Sequence, residues 1–196
     1  MNIRVFSEGD TVFDVGANIG NKTQTFLSLG AKVICFEPQA QCVDALLERF
    51  SGNPLVTVVP AGLAEEEGRL PIQLCDQHVL STFSHRWKTG RHAGHRWDTS
   101  AMVPVITLDK AIAMFGRPQY IKIDVEGHGG SALRGSRESI KTKMPFIIMS
   151  FHSRIEIEET KELMAPIGYK VYCFDGRSVG WDKITIPFSG YIKNEK

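Results

Sequence analysis

The chain has 196 residues, of which 42% are apolar and 23% charged, so it can bury a core without metal or disulfide staples and is not a disordered tail. Its 23 Lys and Arg face 22 Asp and Glu, a net charge of +1 that argues against a globally basic nucleic-acid binder. No stretch approaches the roughly 18 apolar residues of a membrane span, and the opening MNIRVFSEGD has no apolar signal core, so the expectation is a cytoplasmic protein without a membrane partner.

Taken in chain order, Thr11 to Val15 is a β-branched apolar run that breaks at Gly16, and Asn21 to Leu29 suits a helix ended by Gly30. Lys32 to Phe36 predicts a second strand, ending at Glu37-Pro38. Val43, Leu46, Leu47 and Phe50 then recur at the spacing of one helical face, stopped by Gly52-Asn53-Pro54. Leu55 to Val59 predicts a third strand. Strand and helix alternating at this pitch mean a parallel sheet with crossover helices. RLPIQL and MVPVITL predict a hairpin around a polar stretch. Tyr120 to Val125 predicts a strand, Gly130 to Lys143 a helix, Pro145 to Phe151 a strand. A charged helix with Ile157, Thr160 and Met164 on one side follows, and Tyr169 to Phe174 and Ile184 to Phe188 read as closing strands. Cys35, Cys42, Cys75 and Cys173 form no CxxC pair and read as free thiols in a reducing compartment.

Two stretches carry the chemistry. In VFDVGANIGNKT, a strand runs through Asp14 into Gly16 and Gly20 and then a helix, whose first amides are free to meet an anionic group. Glu37, at the end of the next strand, suits the two hydroxyls of a ribose. The turn lacks the third glycine of a dinucleotide fingerprint, and an acid precedes it. That favours S-adenosylmethionine, with an ammonium for Asp14 and no pyrophosphate to cradle, over a nicotinamide cofactor. In YIKIDVEGHGGSALRG, Asp124 and Glu126 stand at the carboxyl end of a strand, where an open α/β sheet carries its ligand crevice. Such a pair can take a proton from a hydroxyl, hold a hard cation or hold a substrate. His128 lies in the same stretch.

VFDVGANIGNKT, FEP, STF, VITLD and IKIDVEGHGGSALRG, in that order, resemble the FkbM family of S-adenosylmethionine-dependent methyltransferases over about Gly9 to His152. The resemblance implies an α/β Rossmann-like class I methyltransferase fold, a three-layer sandwich around a mostly parallel sheet of about seven strands, the last antiparallel. It implies one domain over residues 1–196, with a hairpin or lid at about 64–106. The implied reaction is methyl transfer to a hydroxyl of a sugar, polyketide or similar small acceptor, with no nucleic-acid partner and room for a homo-oligomer. Matched residue by residue, the cofactor set is Asp14, Gly16, Ala17, Asn18, Gly20, Thr23, Glu37, Pro38, Ala61, Gly62, Leu63 and Asp124, with Ala61 to Leu63 at the adenine edge. The catalytic set is Asp124, Glu126 and His152, and no metal ligand is assigned. Two departures stand out. Gly129 occupies a position where the family usually has an acid, and Ser150 precedes Phe151-His152 where a strand-ending glutamate is usual. His152 is a substitute base, since imidazole titrates near neutral pH.

Residues 84–98 carry Arg86, Lys88, Arg91 and Arg96 against Asp98, and four of the six histidines fall at 78, 85, 92 and 95. This stretch reads either as a lid whose Trp87 and Trp97 stack on a flat acceptor or as a solvated loop. Zinc on His85, His92 and His95 is disfavoured, because no carboxylate or cysteine completes a set at helical spacing. Rival functions are N-methylation of a peptide or amine, cofactor binding without catalysis, and a nicotinamide oxidoreductase.

Overall fold

A computed structural model describes residues 7–76, 81–83, 94–97, 99–139, 142 and 145–194. The alternation at the start of the chain becomes β1 (Thr11–Val15), α1 (Asn21–Ser28), β2 (Lys32–Phe36), α2 (Ala40–Arg49) and β3 (Val56–Val59). Next come β4 (Gly62–Leu63), β5 (Gly68–Leu74), β6 (Thr99–Ile106), α3 (Leu108–Phe115) and β7 (Tyr120–Ile123). The chain closes with α4 (Gly129–Arg134), β8 (Phe146–Phe151), α5 (Arg154–Met164), β9 (Tyr169–Tyr172), β10 (Ser178–Val179) and β11 (Phe188–Asn194).

The main sheet has the order β10-β9-β11-β8-β7-β1-β2-β3. Strands β3, β2, β1, β7 and β8 are mutually parallel, while β11 runs antiparallel between β8 and β9. It has eight strands rather than about seven, the extra one being the two-residue edge strand β10. Alternation along the strands sends side chains to two cores. Val12, Val33, Cys35 and Tyr120 pack with Phe26 of α1 and Leu46 of α2. Phe13, Val15, Ile34, Phe36, Ile121 and Ile123 pack on the other face with Leu108 and Ala111 of α3, Leu133 of α4, and Ile157 and Met164 of α5. Each buried Val, Leu, Ile, Phe or Met contributes about 1.5–3 kcal/mol, before entropy. Leu47, expected on the buried stripe of α2, is 55% exposed, because the inward face of the helix carries Cys42, Val43, Leu46 and Phe50.

β5 and β6 pair antiparallel from Gly68↔Val105 to Leu74↔Thr99, and β4 adds in parallel on the far edge of β6. Four features differ from the expectations. The helix expected over Gly130 to Lys143 stops at Arg134. Gly135 is pressed against the Ala64 carbonyl and the Leu108 amide, and the turns beyond it are held by Asp109, which accepts from the Glu138 and Ser139 amides. α3 was not foreseen; Thr107 caps it by accepting from the Lys110 amide at 3.1 Å. Ile184 to Phe188 is not a strand. A 3₁₀ turn (Trp181–Lys183) precedes it, Pro187 has no N–H to give a ladder, and pairing begins at Phe188. The strand expected to Val125 ends at Ile123, which frees Asp124 to Gly127 to turn. All four cysteines are free, with Cys35, Cys42 and Cys75 buried. Among the described residues no helix is long and apolar enough to cross a membrane.

Candidate functional site

The first wall of the site is the turn after β1. Gly16 has φ +74, and a Cβ there would collide with the Asp124 carbonyl, so the position needs glycine both for its conformation and for its closeness to β7. The Gly16 and Ala17 amides donate to the Phe36 carbonyl, tying the turn to β2. Asn18 has φ +52, and its amide donates to Glu37 Oε2 at 2.8 Å; Glu37 Oε1 accepts from the Gln39 amide at 2.9 Å. Burial pushes the Glu37 carboxyl upward, opposed by these two hydrogen bonds and by the charge of Lys122. Gly20 opens α1 and faces Phe50 and Leu46.

Beneath this turn lies a buried polar group. Asp14 is fully buried; its Oδ2 accepts from Thr23 Oγ1 at 2.7 Å, and its Oδ1 stands 3.0 Å from Lys122 Nζ. The ammonium aims its hydrogen bonds at the carbonyls of Val15 (3.2 Å) and Gly16 (2.7 Å), so its contact with Asp14 is an ion pair outside hydrogen-bond alignment. Asp14, expected to meet a ligand's ammonium, meets Lys122 instead, and Thr23 lies with it under the turn.

The second wall comes from the ends of β7 and β8. His152 Nε2 is 3.0 Å from Asp124 Oδ1, and its Nδ1 is 3.5 Å from Glu126 Oε2. Glu126 sits at φ +47, rare for a side chain with a Cβ and often found at functional turns. Burial pushes the Glu126 carboxyl up to about 7, with the Asp124 and Glu156 charges adding to the rise and His152 opposing it. Burial also works against ionised Asp124, but the hydrogen bond with His152 and the charge of Lys122 outweigh it and hold that carboxyl low. Burial lowers His152, and its carboxylate neighbours more than offset this, raising it. His128 turns instead against the Phe83 ring, and burial pushes it down to about 4, so it stays neutral.

Between the walls is a narrow cleft with about 50 Å³ of free volume. Gly16, Asn18, Glu37 and Pro38 line one side, Asp124 and Glu126 the other, and Gly62 and Leu63 the floor. Ala61 is buried beside that floor. Ser81, Thr82 and Phe83 also wall the cleft: Thr82 Oγ1 donates to the Glu126 carbonyl at 2.6 Å, and Phe83 packs over Gly62. A cavity of about 640 Å³ adjoins it, sharing Pro38, Gln39 and Ile72 and running between α2 and the β5–β6 hairpin. His152 does not line the cleft; it lies behind the two carboxylates. Of the expected lid at 84–98, only residues 94–97, which include His95, Arg96 and Trp97, belong to the described residues. His78, His85, Arg86, Trp87, Lys88, Arg91, His92 and Asp98 lie outside them.

The methyltransferase FkbM domain model matches residues 14–171, which contain both walls. The chain belongs to the FkbM methyltransferase domain family. It is 26% identical over 162 residues to the hexuronic acid methyltransferase AglP of Haloferax volcanii, covering 81% of this chain and 62% of that protein. A methyltransferase FkbM of Methylobacillus flagellatus KT superposes with a TM-score of 0.58 at 18% identity, over 97% of this chain and 44% of that one. The fibrillarin pre-rRNA processing protein of Methanococcus jannaschii gives a TM-score of 0.54 at 11% identity, over 97% and 68%. The chain therefore spans under two thirds of the length of AglP and under half of the FkbM structure.

Of the two positions where an acid was expected, Gly129 has a steric account. A Cβ on Gly129 would stand 2.5 Å from Met149 Cε and 2.6 Å from Glu156 Oε1. That space belongs to Glu156, a fully buried carboxylate from α5 that accepts from the Gly129 and His152 amides, both at 2.8 Å. Ser150 bonds across the sheet to Ser189 at 3.1 Å. Neither Glu156 nor Lys122 was assigned from sequence. Lys122 had a visible signal, a lysine in the middle of an apolar strand. Glu156 had none, since it sits in a charged helix.

Because the folded-state Glu126 carboxyl is raised from 4.5 to about 7, it favours the folded state below pH 4.5, and that contribution is lost as pH rises through 7. Glu126→Gln should therefore flatten the fall in melting temperature between pH 5 and pH 8. Thermal melts at the two pH values check this, and an unchanged difference would contradict it.

Proposed function

We propose that this FkbM-family chain is an S-adenosylmethionine-dependent methyltransferase acting on a hydroxyl oxygen of a sugar, with an acidic sugar as the first candidate. The observation that carries this reading is one cleft with two unlike walls: a glycine turn with a ribose-competent carboxylate, Glu37, and an acid–imidazole cluster opposite. The AglP relative, named for hexuronic acid, directs the choice of acceptor. We further read the sheet as a Rossmann-like class I arrangement, seven strands plus the short edge strand β10, and the β5–β6 hairpin as an insertion into a single domain.

The residues fit this cofactor. Glu37 reaches the cleft with lone pairs left on both oxygens, and the backbone at Gly16 and Asn18 is close and uncovered by long side chains. The free volume of about 50 Å³ is below the roughly 300 Å³ of ligand pockets, so entry requires Thr82 and Phe83 to withdraw toward the adjoining 640 Å³ cavity. When bound, S-adenosylmethionine supplies an electrophilic methyl group on sulfur. The chain's part is to align the acceptor oxygen and to take its proton, and alignment provides much of the rate.

For the proton we assign Glu126, which faces the cleft and ionises near neutral pH, with His152 and Asp124 holding it in place and setting its charge. His152 has both ring nitrogens beside carboxylates, which suits it to pass the proton on rather than to meet the hydroxyl. Glu126→Gln should lower methyl transfer to a uronic-acid acceptor about 10²- to 10⁴-fold while leaving S-adenosylhomocysteine affinity within about three-fold. Full turnover in this variant would remove Glu126 from the role. Cofactor binding with no transfer to any uronic acid or neutral sugar would favour a binding protein without catalysis.

A further inference from the structure

We propose a zinc site at Cys75, Asp76 and His95, at the root of the excursion that leaves the β5–β6 hairpin. In sequence the cysteine and the histidine lie twenty residues apart, and no short ligand spacing links them. The fold removes that objection. Gln73 and Thr82 exchange backbone hydrogen bonds at 2.8 and 3.1 Å, the Cys75 amide donates to Ser81 Oγ at 3.2 Å, and the Asp76 amide donates to the Arg96 carbonyl at 3.1 Å. These ties bring residues 75–76 and 95–96 together just beyond the Leu74↔Thr99 pair.

One carboxylate oxygen is the hub. Asp76 Oδ1 accepts from Cys75 Sγ at 3.3 Å and stands 3.4 Å from His95 Nδ1. One ligand atom from each of the three residues lies within 4.8 Å of the other two. A tetrahedral centre with Zn–S near 2.3 Å and Zn–N and Zn–O near 2.0–2.1 Å sets neighbouring ligand atoms about 3.3–3.6 Å apart. Two of the three edges already have nearly that length. Sulfur, imidazole and carboxylate together suit zinc and not magnesium or calcium, which take oxygen shells. Zinc would take the place of the thiol proton, which is released to solvent, and the thiolate and carboxylate would balance the +2 charge. Three protein ligands leave a fourth position for water or a ligand atom.

Such a site would fasten both ends of the 76–95 excursion, much as a cross-link closes a loop. That excursion carries Thr82 and Phe83 into the cofactor cleft, and Cys75 itself lines the adjoining cavity. Metal would therefore set how freely this wall withdraws.

The test is cobalt(II) titration of the chelator-treated, untagged full chain, with zinc competition. One equivalent should give a thiolate-to-cobalt charge-transfer band and the strong visible bands of a tetrahedral ion, bleached by zinc. Cys75→Ser should lose the charge-transfer band, and His95→Ala, at a partly exposed position, should bind at least ten-fold more weakly. Zinc should raise the melting temperature of the wild type and leave that of Cys75→Ser unchanged. His152→Ala should bind cobalt normally, because Asp124, Glu126 and His152 form the other three-residue group among the described residues with ligand atoms this close. No cobalt binding by the wild type, an unchanged spectrum in Cys75→Ser, or loss of binding only in His152→Ala would each overturn the proposal.

Discussion

Glu37→Ala should weaken S-adenosylhomocysteine binding by at least about 100-fold, measured by calorimetric titration with NAD as the control ligand. A hydrogen bond to a charged group is worth about 1.5–3 kcal/mol, and a ribose offers this carboxylate two, so the loss reaches about 10²- to 10⁴-fold. The same side chain also braces the turn by accepting from the Asn18 and Gln39 amides. Its removal leaves two donors seeking partners as well as an empty ribose contact. Glu37→Gln separates the two contributions: its amide oxygen keeps one acceptor for the turn but loses the charge, so its affinity should fall between wild type and alanine. A folded Glu37→Ala protein that binds within about three-fold of wild type would remove the ribose assignment, and with it the main support for this cofactor.

Lys122→Met should cost about 3–5 kcal/mol of stability, a fall of roughly 6–20 °C in melting temperature for a domain of this size. Asp14 is fully buried, and the Lys122 side chain is 8% exposed. Without the ammonium, Asp14 keeps only Thr23 as a donor, and the carbonyls of Val15 and Gly16 lose a shared partner. An uncompensated buried carboxylate is the costly outcome; removing both charges is not. Asp14→Asn combined with Lys122→Met should therefore melt above the Lys122→Met single variant. A single variant melting within about 2 °C of wild type would show that solvent or rearrangement satisfies Asp14. A double variant as unstable as the sum of the two singles would show that the two charges do not act together.

The regions legible in sequence were those where one local pattern had one structural solution. Thr11–Val15 and Lys32–Phe36 came out as read, because apolar β-branched runs bounded by glycine or Glu-Pro have few alternatives. The glycine turn, Glu37, Asp124 and Glu126 were legible through their places at strand ends. α3 was missed because MVPVITL runs straight into it and its cap is a single threonine. The expected helix past Gly130 failed because Gly135 meets another part of the backbone, a contact that no local pattern encodes. Leu47 fitted the helical spacing of α2 and still faces solvent, since the buried arc is narrower than the apolar one. Lys122 and the meeting of Cys75 with His95 share one cause: their partners lie well away along the chain.

Lys122 carries a further implication for the order of events during synthesis. The ammonium capping the Val15 and Gly16 carbonyls leaves the ribosome 107 and 106 residues after the groups it serves. The first strands can associate before then, but the ground beneath the turn stays unfilled until β7 docks beside β1. Contacts of such long range are made slowly, since loop closure must precede them. The glycine turn thus gains its support only once the central parallel pair of β1 and β7 has formed, and a nascent chain that has not yet reached the end of β7 presents the turn unbraced.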